Sequence, residues 1–276
     1  MDIANEYLQL MELVGQRLPL PEVQSMHIAP YEDDPEKSSK FGALILTDGT
    51  VGLTYTGLDD ALLELQDTEF SEPLVGVSPL ESARLFAGES AWQRSLGMAA
   101  INAISQFAFK HCGRPLPATG STIDCLDLRP GDRVGMVGYF PPLVESIRAL
   151  ALPLTVVELD RRLWRRTDNF EVTEDPGKLR QCNKILCTGT VLVNHTADEV
   201  LQHCTDADTV LVAGPTVGCL PDPLFARGVT LVGGCTVTDT AQFLERWRTQ
   251  TKWRKSTRRY VLDRSYPGCR KMLRAG

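Results

Sequence analysis

The residues of this chain best suited to contact a small ligand lie in its second half, where glycines, threonines and an asparagine recur at the ends of predicted strands. Gly135 and Gly138 close a predicted strand over 133–137, and Phe140 leads into a helix that begins at Pro141. Glycines at such a turn let a ligand approach the backbone, and a helix N-terminus favours an anion. The spacing is G-x-x-G rather than G-x-G-x-x-G, so a plain tight turn explains it equally well. Glu158 stands 20 residues beyond Gly138, at the end of the next strand, where dinucleotide-binding folds place a carboxylate on a ribose diol. A surface acid at a strand end is the alternative. Arg161, Arg162, Arg165 and Arg166 follow, able to grip an anion or to form a solvated helix face paired with nearby acids.

Further on, Thr188, Gly189 and Thr190 end a strand over 184–187, and Asn194, His195 and Thr196 precede a helix over 196–203. Thr196 with Glu199 reads as a capping box, which leaves Thr188 and Thr190 as the freer hydroxyls. The next strand, 209–213, ends in Gly214, Pro215 and Thr216, and the one over 229–232 ends in Gly233, Gly234, Cys235 and Thr236. Several strand ends of this kind on one edge carry more weight than any single motif. No nucleophile elbow, Walker loop, H-E-x-x-H or paired-acid signature is present. His195 is the one titratable residue in a suitable place, and it reads more readily as an ordinary loop histidine.

The elements that must position these residues fall into two groups. Apolar positions from 3 to 18 repeat with helical spacing, and strands are predicted over 23–29, 41–47 and 51–55, the last two joined by Asp48 and Gly49 as a hairpin. The polar stretch 31–40 reads as a solvated loop. Ser78, Pro79 and Glu81 mark one helix start, and Ser90 with Gln93 marks another that runs to about 110 and is apolar on most sides. After a Gly- and Pro-rich linker over 111–128, strand and helix alternate, the pattern of a parallel sheet with crossovers. The expected fold is thus an α+β domain over 1–115, followed by an α/β, Rossmann-like ligand-binding domain with a mostly parallel sheet over 116–245. Residues 246–276 read as a basic C-terminal tail.

The composition is that of an ordinary globular protein, 43% hydrophobic and 7% aromatic over 276 residues. The acidic N-terminal stretch lacks the pattern of a signal peptide, and no window approaches the 18 or so apolar residues of a membrane span, so a cytoplasmic protein is expected. Eight cysteines include no C-x-x-C pair, and the four histidines are scattered, so most of these thiols are expected to be small buried hydrophobes. Net charge is −6, yet Arg246 onward holds 11 bases and one acid, leaving 18 of the 29 bases and 34 of the 35 acids to the rest. Trp247, Trp253, Tyr260 and Tyr266 interleave with those bases, as in some nucleic-acid-binding segments, but the acidic body would repel phosphates. The tail is expected instead to pack on the acidic body of its own or a neighbouring subunit, giving a homo-oligomer.

Taken together, the segment from Ser95 to Ala103 with Asn102, the turn from Val137 to Phe140, the run from Thr188 to Thr196, and Gly214, Pro215 and Thr216 with Pro221 and Asp222 resemble the family described as "putative heavy-metal chelation". The hairpin from Leu46 to Tyr55 resembles the N-terminal part of that family, and the likeness runs over about 5–245. The resemblance implies an enolase N-terminal-like domain, a Rossmann-like domain and a pocket between them. It implies a ligand-binding set of Asn102, Gly138, Phe140, Thr188, Thr190, Asn194, Gly214 and Pro215, to which the strand-end argument adds Gly135, Glu158, Gly189 and Thr216. One departure is His195, where a small residue is expected. The function it implies is binding or processing of a small, metal-chelating molecule in the cleft, with a heavy metal or metal chelate as cofactor. The alternative is an S-adenosylmethionine- or nucleotide-dependent enzyme of small-molecule or cofactor biosynthesis.

Overall fold

The computed structural model describes residues 1–30, 40–66 and 74–275. Helix α1 (Ile3–Gly15) starts where the Asp2 carboxylate accepts from Asn5 N at 2.8 Å, and it buries Tyr7, Met11 and Val14. Strands β1 (Val23–Ile28), β2 (Phe41–Leu46) and β3 (Val51–Tyr55) form an antiparallel sheet in that order. The expected hairpin turn is present: Gly49 has φ +81°, and Asp48 accepts from both the amide and the hydroxyl of Thr50. Residues 31–39, most of the stretch read as a loop, lie outside the described residues.

After the short helix α2 (Ala61–Glu64) comes α3 (Pro79–Arg84), where the Ser78 hydroxyl accepts from Leu80 N. Helix α4 (Ala91–His111) follows, begun by the Ser90–Gln93 capping box. It is buried around most of its circumference because α1, α3 and the hairpin all pack on it. Two glycines set how closely. A Cβ on Gly97 would sit 2.1 Å from Phe86 N, and one on Gly52 would sit 2.0 Å from Ala99 O. The other face of the hairpin, with Ile45, Val51 and Leu53, packs on Cys235, Phe243 and Trp253 from the far end of the chain.

The second sheet has eight strands. In chain order its elements are β4 (Val134–Val137), α5 (Pro141–Ala149), β5 (Leu154–Val157), β6 (Arg165–Thr167), β7 (Phe170–Thr173), β8 (Lys184–Thr188), α6 (Thr190–Val193), α7 (Ala197–Leu201), β9 (Thr209–Ala213), α8 (Asp222–Ala226), β10 (Leu231–Val237), α9 (Thr240–Arg248), β11 (Thr257–Asp263) and α10 (Cys269–Ala275). The spatial order is β11-β10-β9-β8-β4-β5-β7-β6, parallel except for β6 and β11 at the two edges. All four residues of β4 are buried, as a central strand covered on both faces requires.

The structure corrects several local expectations. The strand read over 229–232 runs over Leu231–Val237, so Gly233, Gly234, Cys235 and Thr236 lie inside it rather than at its end. Antiparallel pairing with β11 extends it, and a Cβ on Gly234 would meet the Tyr260 hydroxyl at 2.5 Å. Thr196 does not cap α7 with its side chain: its hydroxyl donates to Asn194 Oδ1 at 2.7 Å. The arginines from 161 to 166 are not a helix face. They form a single 3-10 turn and strand β6, and Arg162 and Arg161 pair with Asp160 and Glu174.

Residues 257–263, within the stretch read as a tail, form edge strand β11, paired with β10 over its whole length. The unpaired side of β11 is itself covered, since Val261 N donates to Pro117 O and Thr119 N to Arg259 O. Tyr260, Tyr266 and Trp253 are buried between this strand, α4 and the hairpin, so they are not displayed for base stacking.

Candidate functional site

Helix α4 and the hairpin bridge to the loops at the carboxyl edge of the parallel strands, the edge carrying most of the residues singled out above. At its centre β4 ends and the chain turns at Gly138, with φ +87°. Gly138 N donates to Val157 O of β5 at 2.9 Å, while its Cα faces β8, so that a Cβ would lie 3.2 Å from Thr188 Cγ2. Gly138 and Thr188 therefore stand side by side where successive strands change from one side of β4 to the other, and both are half-buried.

Glu158 follows β5 and braces this turn. Its two carboxylate oxygens accept from Tyr139 N at 2.8 Å and Asp160 N at 3.0 Å, and Trp164 Nε1 donates to its carbonyl at 2.9 Å. The carboxylate expected on a ribose diol is thus already engaged by backbone amides. The N-terminus of α5 is also poorly equipped to hold a phosphate, because Pro141 and Pro142 have no N–H and the amides of Leu143 and Val144 both donate to Phe140 O. Phe140 itself is half-buried against the core under β4 and β5. Near Glu158, but carried by the other sheet, is Tyr55 of β3. Burial, then the nearby Glu158 carboxylate, raise its phenol above the ordinary range.

The Thr188 hydroxyl accepts from Thr190 N at 3.2 Å and donates to Thr190 Oγ1 at 3.0 Å, so the pair forms a small turn between β8 and α6. Gly189 is required by packing, since its Cβ would fall 2.0 Å from Val217 Cγ2. Gly214, with φ +141°, turns the chain out of β9, and Pro215 follows it half-buried. Asn102 lies fully buried beneath, donating to Leu53 O at 2.6 Å and Thr216 O at 2.8 Å.

Two predicted positions fall elsewhere. Gly135 is mid-strand and makes room for Leu179, 2.9 Å from where its Cβ would be. Asn194 turns inward, its Oδ1 accepting from Thr196 N and Oγ1. His195 faces the first half of the chain, with Nε2 2.9 Å from Phe86 O and its ring edge-on to Phe86. Burial, then the positive charge of Arg94, lower its pKa. A separate cavity of about 510 Å³ lies between the hairpin turn, the end of α4 and β10–β11, and its lining includes none of the twelve predicted ligand residues.

A family model described as "Putative heavy-metal chelation" matches residues 121–264, more than half the chain, and a second with the same description matches residues 40–105. The chain belongs to this family. Two crystal structures of family proteins of unknown function share the fold. That from Desulfitobacterium hafniense is 19% identical, with a TM-score of 0.70 over 94% of this chain and 98% of that one. The one from Pyrococcus horikoshii is 20% identical, with a TM-score of 0.63 over 95% and 98%. An uncharacterised protein of Methanocaldococcus jannaschii is 27% identical over 156 residues, 55% of this chain and 58% of that protein.

Sequence reasoning passed over Tyr55 and Gln106. Gln106 had a usable signal, because it lies one helical turn beyond Asn102 on the same face of α4. It donates to Gly218 O at 2.6 Å and to the Tyr260 hydroxyl at 2.9 Å. Tyr55 had none, since only the packing of the hairpin over the sheet edge brings it near Glu158.

Proposed function

We propose that this protein binds a small organic metal chelator, or its metal complex, in the crevice beside Gly138 and Thr188. The observation that carries this reading is the pairing of those two residues at the point where the strand order reverses, which is where open α/β sheets bind ligands. Counted in chain order, the parallel strands lie 3-2-1-4-5-6 across the sheet, in support of a Rossmann-like second domain. In this reading the α+β unit over 1–115, read as enolase N-terminal-like, brings Tyr55 to the ligand, while Asn102 braces the loop after β9 from beneath. The chemistry of the thiols supports an organic ligand over a bare ion. Burial pushes Cys204, Cys219, Cys235 and Cys269 up to about 12, so they are neutral thiols in the metal-free chain, and among the described residues no three His, Cys, Asp or Glu side chains are grouped to hold an ion.

Equilibrium dialysis with Ni²⁺ or Cd²⁺, followed by elemental analysis, tests this. Metal should be retained only when a protein-free cell extract is added, and Thr188→Val should reduce the retention. Stoichiometric retention of either ion without extract overturns the reading. A second reading, an S-adenosylmethionine- or nucleotide-dependent enzyme, is favoured by the position of Glu158. The two prolines opening α5 weigh against a pyrophosphate and leave S-adenosylmethionine as its stronger form. Thermal-shift titration with S-adenosylmethionine and adenine nucleotides separates the two readings, since a ligand of the native state raises Tm by mass action.

A further inference from the structure

The cavity of about 510 Å³ between the hairpin turn, the end of α4 and strands β10 and β11 is lined by Lys110, Arg114 and Arg258 against one acid, Asp48. Asp48 is well occupied. It accepts from Thr50 N and Oγ1 and from Lys110 Nζ at 3.1 Å, and these bonds outweigh burial and hold its carboxyl below the ordinary range. Arg114 leans away, its guanidinium stacked 5.9 Å from the centre of the Tyr266 ring. Arg258 is different. Its guanidinium donates to Leu116 O at 3.0 Å and has no carboxylate partner among the described residues.

Directly across the ladder from Arg258 is Thr236, whose hydroxyl makes no hydrogen bond among the described residues. The neighbouring threonines are spent on holding the walls together: Thr240 donates to Gly49 O at 2.7 Å and Thr238 to Ser256 O at 3.2 Å. Gln106 forms part of the wall, anchored by its amide nitrogen to Gly218 O and the Tyr260 hydroxyl. The cavity thus combines a wall held by hydrogen bonds, a guanidinium with no carboxylate partner among the described residues, an ammonium on its rim and a hydroxyl uncommitted among those residues.

From this we infer that the cavity is a second ligand site, for a small multiply charged oxyanion held between Arg258 and Lys110 with the Thr236 hydroxyl as a further contact. A guanidinium presents a planar fork of donors that matches a carboxylate or phosphate, and the cavity volume suits a compact organic acid or phosphate ester. The site shares no residue with the Gly138–Thr188 crevice and stands or falls separately from it.

The test is the melting temperature of the full chain with about 10 mM citrate or pyrophosphate, against KCl at equal ionic strength; a millimolar ligand should raise Tm by about 3 °C. A response to citrate alone assigns a carboxylate, and to pyrophosphate alone a phosphate. Arg258→Gln should abolish the shift, Lys110→Gln should cut it at least by half, and Arg248→Gln, on an exposed helix end paired with Glu245, should leave it intact. The inference fails if neither oxyanion exceeds KCl, if the shift survives both cavity variants, or if Arg248→Gln removes it as fully. Should Arg258→Gln not fold, Lys110→Gln alone decides.

Discussion

The side-chain amide of Asn102 donates at once to Thr216 O, in the loop after β9, and to Leu53 O, in the hairpin. One buried side chain on α4 therefore ties the two sheets to the same helix. Replacing it by Leu keeps much of the volume but strands two buried carbonyls. Each loses a partner at about 1–3 kcal/mol, while the substitution also removes Oδ1, which is buried without a partner among the described residues, so Asn102→Leu should cost about 2–4 kcal/mol. Urea denaturation checks this; a loss below about 0.5 kcal/mol would show that the amide is not what joins the halves.

Two glycines should respond in opposite ways to the same change. Gly52→Ala drives a methyl to 2.0 Å from Ala99 O and 2.4 Å from Ala103 N, backbone atoms that cannot rotate aside. The hairpin must lift off α4, and a loss of more than about 3 kcal/mol is expected. Gly120→Ala meets nothing within 4 Å and needs no left-handed backbone, so it should be neutral or stabilising by up to about 1 kcal/mol, because it restricts the unfolded chain. Thermal melts of the two variants side by side suffice, and equal melting temperatures would contradict the packing described for α4.

Truncation after Gln250 should destroy the fold rather than trim a tail. It removes Trp253, Tyr260 and Leu262, all buried, and leaves β10 without its antiparallel partner. The shortened chain should be insoluble or lack near-ultraviolet circular dichroism. A folded, soluble truncated protein would mean that β11 is dispensable.

Asp222 provides a pH signature. Its Oδ1 accepts from Cys269 N at 2.7 Å, which caps α10, yet burial, the largest influence, raises its pKa above the ordinary 3.8. A carboxyl raised in the folded state binds its proton more tightly there than in the unfolded chain. Its contribution to stability is therefore complete below pH 3.8 and lost as pH rises through the folded value. Asp222→Asn keeps the acceptor without the buried charge, so the variant should be the more stable of the two at pH 7. That advantage should shrink to nothing as the unfolded carboxyl protonates in acid. Denaturant midpoints of both proteins across this range decide it, and a variant less stable at neutral pH would refute the assignment.

Much of the local architecture was legible because its causes are local. The Ser90–Gln93 capping box, the Ser78–Pro79 helix start and the Asp48–Gly49 turn are set by residues within a few positions of one another, and each formed as read. Alternating strand and helix from Arg133 onward announced a parallel sheet for the same reason, since hydrophobic period follows from backbone geometry. Most of the failures involve partners distant in sequence. The seven residues from Thr257 become a strand because β10 and the linker near Pro117 accept them on either side. Thr196 was read as a cap and became a donor to Asn194.

At the candidate site the division is the same. The residue types at the strand ends were visible in the chain: Gly138, Thr188 and Gly214 with its neighbours. That Gly138 meets Thr188, that Glu158 turns its carboxylate onto Tyr139 N, and that Gly135 merely makes room for Leu179 were decided by tertiary packing. The sequence alone determined the helices, strands and turns whose causes are local, and that the chain carries a parallel sheet. Only the folded structure determined which polar groups remain free to meet a ligand, because a donor or acceptor is free only when no other part of the chain has reached it first.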